Sequence, residues 1–175
     1  RDNTPAVHAL PVARIVVAPG HTIEKGTLVL RDGVITAVGA EVAVPKDARV
    51  WDMTGKTLYP GLIDAYSEAS FGKPPAKKGA PYWNALVRPQ YRVAEHYQVD
   101  AKRNKKLRGQ GITARLAVPA GGVIKGTSAL VLTGEGQAQR SILQGRVALH
   151  IRLTVSQKPN HDGYPYSPMG AGALA

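Results

Sequence analysis

Over the first sixty positions, apolar and β-branched residues come in short runs separated by turn residues, which predicts strands rather than helices. Val12-Ala13-Arg14-Ile15-Val16-Val17 is one such run and stops at Pro19-Gly20, a turn signal. Thr27-Leu28-Val29-Leu30-Arg31 and Val34-Ile35-Thr36-Ala37-Val38 flank Asp32-Gly33. Asp-Gly between two β-rich runs predicts a tight hairpin, since both central positions of its turn need φ > 0. Ala48–Met53 is a further run, closed by the turn Thr54-Gly55-Lys56, and Thr57-Leu58-Tyr59 then leads into Pro60-Gly61.

The second part of the chain changes character. Residues 70–98 read as loop-rich, and Pro74, Pro75 and Pro81 exclude a helix or a central strand over Lys73–Pro81. Asp100 to Arg108 predicts a helix, Asp100 serving as N-cap and Gly109 or Gly111 as the stop. Gly111–Val118 predicts a strand ended by Pro119, and a helix followed by a β-rich run suits one α-to-β step of a barrel. Beyond it lie further strand signals at Ser128–Leu132 and at Val147–Leu153, whose clean alternation predicts a half-buried strand.

Composition narrows the classes. A length of 175 residues suits one ordinary domain and falls short of a complete (β/α)8 barrel, which takes about 250. The net charge of +11 is lopsided: residues 1–70 hold 7 Lys/Arg against 8 Asp/Glu, residues 71–175 hold 16 against 4. Such asymmetry marks a polyanionic partner, or a surface whose acidic complement lies on another polypeptide. No cysteine is present, which excludes disulfides, thiolate metal sites and Cys nucleophiles. No run of 18 apolar residues exists, no Gly-x-Ser-x-Gly elbow is found, and the Gly pairs lack P-loop order.

The stretch Leu58-Tyr59-Pro60-Gly61-Leu62-Ile63-Asp64-Ala65-Tyr66-Ser67-Glu68 resembles the segment of the amidohydrolase superfamily in which a Pro-Gly turn feeds the first barrel strand. The hairpin Arg31–Gly39, followed by an Asp-x-x-Gly-Lys turn and Pro-Gly-Leu-Ile-Asp, is similar to the N-terminal β-sandwich half of members related to imidazolonepropionase and dihydroorotase. The resemblance is strongest at 27–65 and 107–133. Trp83–Pro89, Gly121–Leu132 and the closing Tyr164–Ala175 resemble a subgroup of large secreted or periplasmic members, which favours such a compartment.

The resemblance implies a β-rich α/β fold: a β-sandwich half over residues 1–59, then the first strands and helices of an incomplete TIM-like barrel over 60–175. It implies hydrolysis of non-peptide C–N bonds by metal-activated water. In the family, two histidines at i and i+2 of the first strand bind the metal, and residues at that spacing face one side of a strand. Tyr66 and Glu68 stand at those two positions here. Either they form a remodelled site with Glu68 as carboxylate ligand and Tyr66 as donor, or they fill a pseudo-site for packing. Pro60, Gly61 and Asp64 are read as structural.

No catalytic residue is assigned. The five histidines include no local chelating pair, and His150 is read as a strand residue that could face a barrel interior. No cofactor is therefore expected in this chain, while zinc or another divalent metal could sit in a partner chain. The run Lys102, Arg103, Lys105, Lys106 and Arg108 is a possible anion-binding face, or else the solvated outer surface of a helix. No aromatic side chains interleave it to stack bases, so nucleic acid is disfavoured. The expected role is a non-catalytic structural part of a larger assembly, completed by the C-terminal continuation of the same precursor or by a second subunit. The rivals are an active metal-dependent hydrolase completed by a second chain and a basic polyanion-binding module.

Overall fold

The computed structural model describes residues 6–69 and 86–153. Lys73–Pro81, Trp83–Ala85 and the closing Gly163–Ala175, singled out in the sequence, lie outside the described residues. The chain divides into two compact units, Arg1–Pro60 and Gly61–Ala175.

The first unit is a five-stranded sheet. Strands β1 (Val7–Ala18), β2 (His21–Arg31) and β3 (Val34–Gly39) form an antiparallel meander. Two short strands, β4 (Arg49–Val50) and β5 (Thr57–Leu58), lie parallel to β1 along its other edge. At the β2–β3 turn Asp32 and Gly33 have φ of +52° and +78°, the pair of positive values that an Asp-Gly hairpin requires. Val7, Ala9 and Val29 form the centre of the core, with Ala37, Val42 and Ala48 packed around them.

Strand β1 begins earlier than the sequence predicts, at Val7 rather than Val12. The register explains why its first half was hard to read. Between Leu10 and Ala13 the strand carries one residue more than β2 opposite, and Val12 sits there at φ +58°. Pro11 has no N–H to give to the ladder, so a bulge forms where the ladder must break. A matching excess on β2 between Ile23 and Gly26 brings the two strands back into step. The predicted run Ala48–Met53 shortens to two paired residues. Beyond them, Asp52 Oδ1 accepts from the N–H of Thr54 at 2.9 Å, and Gly55 takes φ +73°, which turns the chain away from the sheet.

The second unit holds a four-stranded sheet of order β10-β9-β7-β6, built from β6 (Leu62–Ala69), β7 (Ile112–Pro119), β9 (Ala129–Leu132) and β10 (Ile142–Gln144). A second, two-stranded sheet pairs β8 (Ile124–Thr127) with β11 (Leu149–Ile151). Helices are short: α1 (Val93–His96), α2 (Ala101–Gly109) and α3 (Ala138–Ser141). Tyr91, Val93, Tyr97, Ala117, Ala129 and Val131 make the core between α1 and the sheet.

Strand β6 runs parallel to β7, and α2 lies between them in sequence, as one β/α step demands. The strand predicted at Ser128–Leu132 is present as β9, but antiparallel to β7, so the sheet is mixed where a barrel is all-parallel. Helix α2 forms as read, with the Asp100 carboxylate accepting from Arg103 N–H at 2.9 Å. Asp100→Ala should cost about 1 kcal/mol, read as a lowered unfolding midpoint with unchanged secondary structure by circular dichroism.

Candidate functional site

Strand β6 is placed by its first residues. A Cβ on Gly61 would lie 2.1 Å from Thr113 Oγ1, so only glycine lets the chain start the strand so near β7. The N–H of Leu62 then donates to Gly111 O at 2.9 Å. Two residues on, Asp64 Oδ1 accepts from the N–H of Tyr66 at 3.1 Å. Between Asp64 and Ser67 the strand holds one residue more than β7 opposite, and this local bend aims the next side chains. The Asp64 carboxylate here holds the backbone N–H two residues on, and Pro60, the last residue of the first unit, is exposed.

Tyr66 and Glu68 point to one side, and a single atom lies between them. Lys125 Nζ donates to Glu68 Oε1 at 2.6 Å and to the Tyr66 hydroxyl oxygen at 3.0 Å. The lysine side chain is 1% exposed and the glutamate 33%. His150 approaches from β11, its ring edge-on to Tyr66 with centroids 5.8 Å apart. Its Nε2 is buried and has no hydrogen-bond partner among the described residues.

The charges in this cluster set each other. Glu68 is held below its ordinary range, first by the Lys125 hydrogen bond, with burial opposing and the Gly121 N–H and Arg152 assisting. Burial is the largest influence on Lys125 and works against its charge. The Glu68 and Tyr66 bonds together outweigh it, and the ammonium titrates above its usual value. His150 is pushed down by burial and then by Lys125, so it stays neutral at pH 7.

The other side of β6 meets the helices. Ser67 Oγ accepts from Arg103 Nη2 at 3.1 Å and from Arg115 Nη1 at 3.3 Å, and Arg103 also donates to Glu68 O at 3.2 Å. Arg115 is almost fully buried, with its guanidinium 6.0 Å from the Tyr97 ring centroid. The basic run on α2 is therefore split by its helical spacing. Arg103 turns to β6, and Arg108 turns to Thr133 O and the Glu135 carboxylate. Lys102, Lys105 and Lys106 remain exposed.

The divalent metal implied by the family does not fit these donors. A hydrolytic zinc site takes three protein ligands and an open position. No group of three His, Cys, Asp or Glu able to hold an ion is found among the described residues. The one carboxylate at the motif positions already binds an ammonium. Sequence reasoning missed Lys125 and Arg115. A lysine between Ile124 and Gly126 gives no periodic signal, and its importance comes only from partners about sixty residues away.

Comparisons with known proteins agree with this architecture. No protein-family model matches the chain. An imidazolonepropionase of Deinococcus radiodurans is 41% identical over 49 residues, which are 28% of this chain and 12% of that protein. An amidohydrolase from Thermotoga maritima MSB8 has a similar structure, with a TM-score of 0.70 and 18% identity over 95% of this chain and 45% of that one. At that identity the likeness shows the fold alone, and that fold agrees with the amidohydrolase resemblance read in the sequence. The chain spans under half the length of the solved structure it matches.

Proposed function

We propose that this chain, which carries an amidohydrolase fold, is a non-catalytic structural part of a larger amidohydrolase-type assembly. In this reading the first unit is the β-sandwich half, and β6-α2-β7 opens a (β/α) barrel. The rest of that barrel comes from a C-terminal continuation or a second subunit. Hydrolysis of non-peptide C–N bonds, and any zinc it uses, belongs to the completing polypeptide.

The observation that carries this reading is the free edge of β6. Among the described residues β6 pairs with β7 alone, and no second strand borders its other edge. Leu62 and Ile63, on opposite faces of that strand, are 62% and 63% exposed. Proteins cover or pair an edge of this kind, and a closed barrel gives its first strand a second neighbour. The chain's span of 45% of the Thermotoga protein leaves length for that neighbour in a completing chain. Against the rival in which Glu68 ligates a catalytic metal stands its contact with Lys125.

The chain should be produced alone and studied by sedimentation velocity, thermal unfolding and elemental analysis. Self-association or non-cooperative unfolding is expected, with far less than one equivalent of zinc, iron or manganese per chain. A stable 18.6 kDa monomer that unfolds cooperatively, or one that holds stoichiometric metal, would sink the proposal.

A further inference from the structure

The geometry points to Lys125 as a tethered cation, whose ammonium takes the place of a metal ion at the end of β6. Resting on the reading of the chain as non-catalytic, this says what became of the metal position. The two side chains at the motif-equivalent positions both turn to one positive centre, the phenol oxygen at 3.0 Å and the carboxylate at 2.6 Å. A divalent ion holds its ligands in the same manner, by drawing oxygen donors from one strand onto a common point.

The ammonium is built in rather than incidental. Its side chain is 1% exposed, and its strand is clamped on both flanks. Arg88 N–H donates to Ile124 O at 2.8 Å, and Thr127 N–H donates to Tyr91 O at 2.7 Å. Between them Gly126, at φ +106°, lets β8 press against the backbone of residues 88 and 91. Lys125 therefore cannot swing away as a surface lysine would. A metal ion entering beside Glu68 would meet a fixed positive charge at hydrogen-bond distance from its ligand, so the site excludes the ion it resembles. His150 completes the set as a neutral, edge-on neighbour of Tyr66.

The test compares the native assembly with Lys125→Met, Lys125→Arg and Glu68→Gln variants. It measures metal content per chain and melting temperature as a function of pH. Lys125→Met should lower the melting temperature at pH 7 by about 5–10 °C, and Lys125→Arg should recover part of the loss. The gap between wild type and Lys125→Met should narrow as acid protonates Glu68, because the ion pair is then lost in wild type too. A lysine that only fills space would leave a gap independent of pH. Glu68→Gln should remove no metal from the assembly, and it serves as the neutral variant if Lys125→Met does not fold.

A pH-independent gap, or full stability in Lys125→Met, would overturn the tethered cation and leave the structural-part reading standing. Loss of one equivalent of metal in Glu68→Gln would overturn both.

Discussion

Truncation of Glu68 to alanine is expected to destabilise the second unit by about 3 kcal/mol. The cost arises less from the lost contact than from what stays behind. Lys125 remains almost fully buried with its charge, and Tyr66 is then its one remaining hydrogen-bond partner in the cluster. Removing one member of a buried ion pair typically costs about 3–5 kcal/mol. The lower end applies because one third of the Glu68 side chain reaches solvent, which screens the pair. Glu68→Gln keeps an acceptor for the ammonium and should cost about half as much. The double variant Glu68→Leu, Lys125→Met should recover most of the loss, since apolar replacement of both partners is often neutral. Denaturant unfolding of the assembled protein measures all of these. A Glu68→Ala variant within about 0.5 kcal/mol of wild type would contradict the account.

The sign of the pH dependence follows from the same cluster. The Glu68 carboxyl titrates below its ordinary 4.5 when folded, so its contribution is present above that value and is lost as pH falls through the folded one. His150 titrates below 6.5 when folded, so the unfolded chain takes up its proton first, and stability declines as pH drops below 6.5. Both groups therefore make the unit acid-labile. Lys125 titrates above 10.5, so its contribution is present below that value and disappears as pH rises through the folded one.

How far the sequence could foresee this arrangement depends on the range of the forces involved. Asp32-Gly33 and Asp100 act within a few residues of themselves. Their hairpin and helix cap were legible for that reason, and both are found. Pro60-Gly61 was legible as the lead-in to a strand, though the contact with Thr113 that requires glycine was not. Strand β11 is a middle case. Its alternation predicted a half-buried strand and left His150 as a residue that could face the interior, without saying what it would meet. Leu149 and Ile151 are each 50% exposed, and His150 is the inward residue, beside Tyr66. The polar cluster around Lys125 draws the histidine in, and no local pattern encodes that. The basic helix repeats the lesson, because Arg103 and Arg108 find acceptors on β6 and beyond β9 that the run of charges does not reveal.

Gly126→Ala should be the most damaging of the small substitutions, at about 3–5 kcal/mol, the sum of backbone strain and overpacking. At φ +106° the residue occupies a region that L side chains rarely adopt. A methyl group added there would sit 2.3 Å from Tyr91 O and 3.0 Å from Arg88 O, and both are backbone atoms that no rotamer change can move. Tyr91 O already accepts from Thr127 N–H, and Arg88 N–H donates to Ile124 O. To admit the methyl, the 88–91 segment must withdraw and give up those bonds, and Lys125 is then released from Tyr66 and Glu68. Gly109→Ala is the control, because a Cβ there meets open space at the end of α2 and should stabilise by about 0.5–1 kcal/mol. Equal midpoints for the two variants in urea unfolding would show that the close approach at Gly126 does not hold Lys125 in place.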